Sequence, residues 1–482
     1  MRNARIAGLL LVALGPGGCA VGPDYHRPEV ASAGRFMGQP AVAARAAAVP
    51  SDLVSWWNGF DDPLMTQLIE EALDHNLDVA QAVARVSQAR AGLRAANAAL
   101  LPSAQISANA ATAHQSLETP TGRLLSGVPG FARDGELYDG SVSASWEIDL
   151  FGGLRRGREA ARADYGASQA DVAGARIAVA AQTAETYVAI RGLQNRIAIA
   201  TEQVDTQRRL VGIIDLQYRK GVAAELQLNQ AKGALSQVAA TLPVLREALE
   251  SAMNSLDVLL GSQPGSNHGR LAAPSPIPVP PAIADAGGPA ELLRRRPDLL
   301  ASEQRLIAAN ARIGEAVSQY YPKLSLSGLL GTATTAAGGL FGSGATQAQG
   351  VLGLRWRLFD FGRVDAEIAA ARGRDAEALA AYRLAVLRAS EDVENAFSSL
   401  VEREQQERTL AEGEDSLVRA RKASFAAYQG GVVSLIEVLD ADNRLLATRD
   451  ARIQARTEAA RAAISSFRAL GGGWSSAERA AL

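Results

Sequence analysis

The stretch Ser141-Val142-Ser143-Ala144-Ser145-Trp146-Glu147-Ile148-Asp149-Leu150-Phe151-Gly152 alternates without a fault. Val142, Ala144, Trp146, Ile148 and Leu150 fall on one face, and Ser141, Ser143, Ser145, Glu147 and Asp149 on the other. This period of two marks a strand with one apolar and one polar side. The pattern returns 210 positions later: Leu352, Leu354, Trp356 and Leu358 alternate with Gly353, Arg355 and Arg357, and Phe361-Gly362 closes the segment as Phe151-Gly152 closes the first. A charged strand face cannot be the core of a small sandwich; it suits a water-filled lumen.

Working outward, the same offset of 210 aligns Tyr218, Gly221 and Val222 with Tyr428, Gly431 and Val432, and Leu226–Ala231 with Ile436–Ala441. Upstream the offset is 220, pairing Asp78 with Asp298, Arg85 with Arg305 and Pro102 with Pro322. The chain is therefore one unit written twice. Repeat one covers 62–260, with a helix opened by Asp61-Asp62-Pro63, strands at about 102–112 and 139–150, and long helices at 153–217 and 223–260. Repeat two covers 289–470, with a helix, strands at about 322–331 and 350–360, and long helices at 363–429 and 432–470. Before the Gly-Val turns neither long helical pattern contains a proline, and at 1.5 Å per residue each reaches on the order of 100 Å. Such lengths mean a coiled coil or a helical barrel. Residues 261–288, rich in proline, read as an extended linker, and 471–482 as a flexible tail.

Composition narrows the function. Over 482 residues, Lys+Arg is 49 and Asp+Glu 51, a net charge of −2 with no basic face for nucleic acid. The hydrophobic fraction is 48% but aromatics are only 5%; the difference is largely alanine, which favours close helix packing. A mean hydropathy of −0.01 excludes a polytopic helical membrane protein but not a β-barrel. Four strands cannot close a membrane barrel, so the apolar strand faces call for closure by several chains, eight strands from two or twelve from three. The four histidines lack metal-ligand spacing, so neither a metal nor another cofactor is expected, and no enzyme. Gly338–Gly344 lacks the Lys-Ser/Thr of a phosphate loop, and the mixed charges at Glu402–Arg408 read as a solvated helix face. Trp56-Trp57 reads as a packing anchor for the N-terminal segment.

Residues 1–18 have a positive start (Arg2, Arg5) and an apolar core (Ile6–Leu14) too short to span a bilayer, as in a secretory signal. Gly18-Cys19 at its end resembles a lipoprotein lipobox, with Pro16 where Leu, Val or Ala is usual; an ordinary signal peptide is the alternative. The resemblance implies cleavage before Cys19, a diacylglycerol and an N-acyl chain on it, and, with Ala20 following, the outer membrane. Residues 19–61 would then be the lipidated N-terminal extension.

Cys19–Tyr25, Arg296-Pro297-Asp298-Leu299 running to Ala309–Gly314 and Tyr321-Pro322, the two Trp…Phe-Gly strand ends and the paired Tyr-x-x-Gly-Val turns together resemble the outer-membrane factor lipoproteins of RND-type multidrug efflux systems. The resemblance covers nearly the whole mature chain. It implies a homotrimer, mainly α with a membrane β part: a twelve-stranded β-barrel, four strands per chain, set in outer-membrane lipid and continued by an α-helical tunnel. It further implies a periplasmic membrane-fusion adaptor and an inner-membrane RND-type pump as partners. Tyr218, Gly221, Val222, Tyr428, Gly431 and Val432 are then adaptor-contact turns at the periplasmic tip, and Ile436, Glu437 and Asp440 its gate. Ile436 and Asp440 are four apart and share a helix face, so three copies would set an apolar ring beside a carboxylate ring, where like charges repel. The first copy carries Leu226, Gln227 and Gln230 instead. The expected function is a passive export duct for drugs or small toxic compounds. A type I protein-secretion duct and a non-pore periplasmic coiled-coil lipoprotein are the alternatives.

Overall fold

The computed structural model describes residues 20–29, 34–45, 50–283 and 287–475. The signal segment 1–18 and Cys19 lie outside them. The main helices are α1 (Pro63–His75), α2 (Leu77–Ala98), α3 (Gly153–Arg219), α4 (Glu225–Ala239), α5 (Thr241–Leu259), α6 (Pro297–Ser318), α7 (Arg363–Gln429) and α8 (Leu435–Ala469). The strands are β1 (Ser103–His114), β2 (Asp134–Ile148), β3 (Lys323–Thr334) and β4 (Thr346–Arg355). Among the described residues no helix is long and apolar enough to cross a membrane.

The chain divides into two compact units. The first holds the described residues up to Pro28 with Ser87–Gly166 and Gln304–Ala380. Its centre is one antiparallel sheet in the order β1-β2-β3-β4. Ser103 pairs with Ser145 and Lys323 with Arg355, the same position in each hairpin. β2 joins the hairpins through β3, with Ile148 opposite Leu324 and Tyr138 opposite Thr334. Beside the sheet Ala160 and Ala163 of α3 pack on Ala308 and Ala311 of α6, a close contact that small side chains permit. The N-terminal segment is clamped here. Val21 N donates to Phe151 O, and the Arg156 guanidinium reaches Val21 O (3.2 Å) and Asp24 Oδ1 (2.8 Å). Gly22, at φ +95°, passes so near that a Cβ would sit 2.3 Å from Gly314 Cα.

Strand limits differ from the sequence expectation most in β2 and β4. β2 starts at Asp134, ahead of 139, because β1 extends to His114 and supplies partners that far. β4 stops at Arg355, although the alternation continues through Leu358.

The second unit comprises Glu29–Val86, Ala167–Glu303 and Ala381 onward. Its main core joins Met65, Leu68, Ile69 and Ala72 of α1, Ala180, Ala184, Tyr187 and Val188 of α3, and Ala460, Ala463, Ile464 and Phe467 of α8. Trp56 is buried there and stacks on Phe467, with ring centroids 5.6 Å apart. Asp62 caps α1, accepting from Leu64 N and Met65 N, while its other oxygen takes the Tyr187 hydroxyl at 2.8 Å.

The helical stretch 223–260 is interrupted close to Pro243: it is two helices, α4 and α5, parting at Ala240, with Pro243 in the first turn of α5, where a missing N–H is tolerated. Two expectations are corrected in this unit. The stretch 261–288, expected as an extended linker, turns through a short helix at His268–Leu271 before running extended, and it is packed on the fold. Leu271 and Ile277 enter the core, and Arg191, Gln194 and Asn195 of α3 donate to Ala273 O, Leu271 O and Ser275 O. Ala282 and Ile283 then pair in parallel with Pro50 and Ser51. The expected tail at 471–482 starts as a buried plug: Gly473 N donates to Leu53 O, and Trp474, 8% exposed, donates to Arg295 O. The tryptophan supplies apolar area that is unfavourable in water. Residues 476–482 lie outside the described ones.

Charges that read as a solvated face also find partners. Arg45 pairs with Glu404, and Arg452 bridges Glu407 (2.9 Å) and Glu414 (3.0 Å).

Candidate functional site

The two Gly-Val turns are built alike. α3 ends with Gly221 at φ +73°; Gly221 N donates to Tyr218 O and Val222 N to Gln217 O. α7 ends with Gly431 at φ +71°; Gly431 N donates to Tyr428 O and Val432 N to Ala427 O. Each is a Schellman closure, in which a left-handed glycine lets two orphan helix carbonyls find donors. A β-carbon at either glycine would force a strained backbone.

α4 and α8 then begin. In α8 Ser434 is the N-cap, accepting from Ile436 N at 3.2 Å, and its hydroxyl bonds Glu437. The Ser434 hydroxyl holds the Glu437 carboxyl below the ordinary carboxylate range. In α4 Ala224 replaces the serine and has no side chain to cap the helix; only the reverse bond is made, Gln227 Oε1 accepting from Ala224 N at 3.1 Å. Glu437 thus has a structural role that the gate reading did not include.

Below the turns a small core unites Leu210 and Ile214 of α3, Leu228, Ala231 and Ala234 of α4, and Leu435, Val438 and Leu439 of α8. The turn residues do not all face the same way. Val222 (76%), Val432 (80%), Leu226 (66%) and Ile436 (58%) stay exposed, an apolar group that ordinary folding leaves uncovered. Tyr218 is exposed, whereas Tyr428 is half-buried against the small core and donates to Gln217 Oε1 at 3.1 Å.

Ile436, Glu437 and Asp440 all lie on the exposed side of α8. Asp440 does not stand alone, however: Arg444, one turn on, pairs with it at 2.9 Å. Asp440 therefore carries a paired charge rather than a lone one. The buried carboxylate is instead Asp442, 2% exposed. It accepts from Arg421 Nε of α7 at 2.9 Å and from the buried Gln207 Nε2 of α3 at 3.3 Å, tying three helices together. The signal for it was available in the sequence. Leu435, Val438, Leu439, Asp442 and Leu445 follow the helical period, which puts Asp442 on the buried stripe. Among the described residues no group of His, Cys, Asp and Glu is arranged to hold a metal ion.

The family described as outer membrane efflux protein matches residues 68–262 and again 288–472. The outer membrane protein OprJ of Pseudomonas aeruginosa is 30% identical over 468 residues, covering 96% of this chain and 95% of its own. The probable outer membrane lipoprotein SilC of Salmonella typhimurium is 28% identical, covering 95% of this chain and 96% of its own. Among solved structures, the outer-membrane channel OprN superposes with a TM-score of 0.85 at 31% identity, over 95% of this chain and 100% of its own. The open state of the Neisseria gonorrhoeae MtrE outer membrane channel gives 0.79 at 25% identity, over 95% and 99%.

Proposed function

The chain belongs to the outer membrane efflux protein family, and on that premise we propose that it is the outer-membrane channel of a tripartite efflux system. Three copies form a passive duct for drugs or other small toxic compounds. A periplasmic membrane-fusion adaptor joins it to an inner-membrane RND-type pump, which supplies the energy. Cys19, lipidated, holds each copy to outer-membrane lipid; the relative named as an outer membrane lipoprotein supports this.

One observation carries the reading. The four long strands form a single sheet whose outer strands, β1 and β4, each have a neighbour on one side only. In hydrocarbon each unpaired backbone group costs several kcal/mol, so such a sheet must close on other copies. Four strands per chain and a watery lumen fit twelve strands from three chains. At the helical turns, exposed Val222, Leu226 and Val432 suit adaptor docking, with Gly221 and Gly431 shaping the two turns, Tyr218 at the surface of the first and Tyr428 bracing the second from within. Ile436, Glu437 and Asp440, brought round a common axis, form the gate, and Arg444 moderates its charge.

Outer-membrane fractions run unheated and boiled are expected to show a heat-modifiable trimer band. A deletion strain should gain susceptibility to toxic small molecules, reversed by a plasmid copy. A mature chain that stays soluble and monomeric would sink the duct. Lost secretion of a protein cargo with unchanged drug susceptibility would redirect the reading to type I secretion.

A further inference from the structure

The polar face of the sheet carries few charges, and they are not spread evenly. Among its strand residues Asp139, Glu147, Lys323 and Arg355 are the charged members. Asp139 lies towards the far end, beside Asn109. The other three crowd the end that joins the helices. There Lys323 and Arg355 are direct cross-strand partners. Like charges set opposite each other weaken a sheet. The same position of the first hairpin holds Ser103 and Ser145, whose hydroxyls bond at 3.1 Å. Where repeat one has a hydrogen-bonded pair, repeat two has a repulsive one. A local rule broken without a structural gain marks a functional position.

The nearby acids do not restore the balance. Glu147 pairs with Lys323 at 3.5 Å. Asp149 caps the start of α3, accepting from Leu154 N and Arg155 N, and pairs with Arg155. Asp360 caps α7, accepting from Gly362 N at 3.1 Å and Val364 N at 2.9 Å, with Arg357 close enough to act on its charge. Arg355 is exposed and has no acid partner among the described residues. Arg357, two positions on, continues the alternation and is exposed too. Its counterpart in repeat one is the acidic Glu147.

We propose that Lys323, Arg355 and Arg357 form a cationic collar inside the duct, at the helix end of the sheet, which draws in small anionic compounds such as carboxylates, sulfonates and phosphate esters. The inference rests on the duct reading, which makes this face a lumen, and adds a charge preference for the cargo. A few uncompensated charges act strongly there, because a passage walled by low-dielectric protein focuses their field on whatever enters it.

The test places a thiol beside the collar in the full-length chain, in isolated outer membranes. Ser325 is exposed on the polar face opposite Gly353. Arg355, two positions along from Gly353, is its diagonal neighbour at about 7–8 Å. Ser325→Cys is treated with methanethiosulfonates of similar size, one bearing a sulfonate and one an ammonium group, at about 0.1 M salt. The chain without this cysteine sets the background. The ratio of anionic to cationic rates should fall at least about fivefold when Arg355→Ser and Arg357→Gln are added. Arg355→Lys with Arg357→Lys should keep the ratio. Glu147→Gln, which leaves Lys323 without its acid, should raise it. Ala333→Cys lies on the same strand, about 26 Å away. That is beyond the Debye length of about 10 Å, so the ratio there should not change. In a deletion strain, the Arg355→Ser, Arg357→Gln variant should protect at least about fourfold less well against anionic toxic compounds, and no less well against cationic ones. Equal ratios in parent and variant overturn the collar and leave the duct standing. A lowered ratio with unchanged protection against anionic compounds also overturns it, because the field then does not act on cargo. A Ser325→Cys thiol that neither reagent reaches in the folded, membrane-inserted chain overturns the duct reading as well.

Discussion

Removing the Asp442 carboxylate tests how the helical turns are held. Asp442 is 2% exposed and Gln207 fully buried, so deleting the acceptor leaves the Gln207 amide without its partner in a site water does not reach. That costs about 1–3 kcal/mol. When Asp442 is removed, Arg421 is relieved because its side chain is 35% exposed and can turn to solvent; when Arg421 is removed, a carboxylate only 2% exposed is left without its cation. The expected loss for Asp442→Ala is therefore about 2 kcal/mol, for Asp442→Asn about 1 kcal/mol because one acceptor remains, and for Arg421→Ala about 3 kcal/mol. Amide hydrogen exchange on the purified protein reads this directly. If exchange in helix segments 203–214 and 435–445 follows local opening, 2 kcal/mol speeds it by about 30-fold. A change below about twofold in Asp442→Ala would refute the buried tie. An Arg421→Ala change below about twofold would show that the buried carboxylate does not depend on its cation.

Other outcomes follow from the same geometry. Ser434→Ala should cost about 1 kcal/mol as a lost cap, seen as faster exchange at the start of α8. The Glu437 carboxyl is held below its ordinary range, so its contribution is present above the unfolded carboxylate pKa and fades as pH falls through the lowered folded value; the Ser434→Ala penalty should shrink in acid. Asp440→Ala should loosen the proposed gate and raise single-channel conductance, while Arg444→Ala, which strips the neutralising partner, should steepen cation selectivity. Unchanged conductance and selectivity in both would remove this face from the gate. Trp474→Ala should lower stability by about 3–5 kcal/mol, measured as earlier thermal unfolding. A tail that merely trails in solvent would show no shift.

Much of the architecture was legible because it rests on local chemistry. Strand alternation around Trp146 and Trp356 needs only neighbours two positions away. The turns at Gly221 and Gly431 need only a residue that accepts positive φ. The doubling of the chain needs only comparison of the sequence with itself. The choice between Asp440 and Asp442 was harder. Both are acidic, both lie on α8, and two positions of helical phase send one to solvent beside Arg444 and the other inward to Gln207. The family resemblance points to Asp440, whereas the apolar stripe of α8 points to Asp442.

What the sequence determined by itself was the repeat, the element types, the turn chemistry and, through their order, the family. What only the tertiary structure decided were the contacts between distant segments. The proline-rich stretch resembles a linker until Arg191, Gln194 and Asn195 bind its carbonyls. The glycine-rich end resembles a tail until Trp474 meets Arg295, 179 positions away. Local composition reports how freely a backbone can move on its own. Whether it does move depends on donors and apolar surface brought to it by the rest of the fold, and those partners lie beyond any local window.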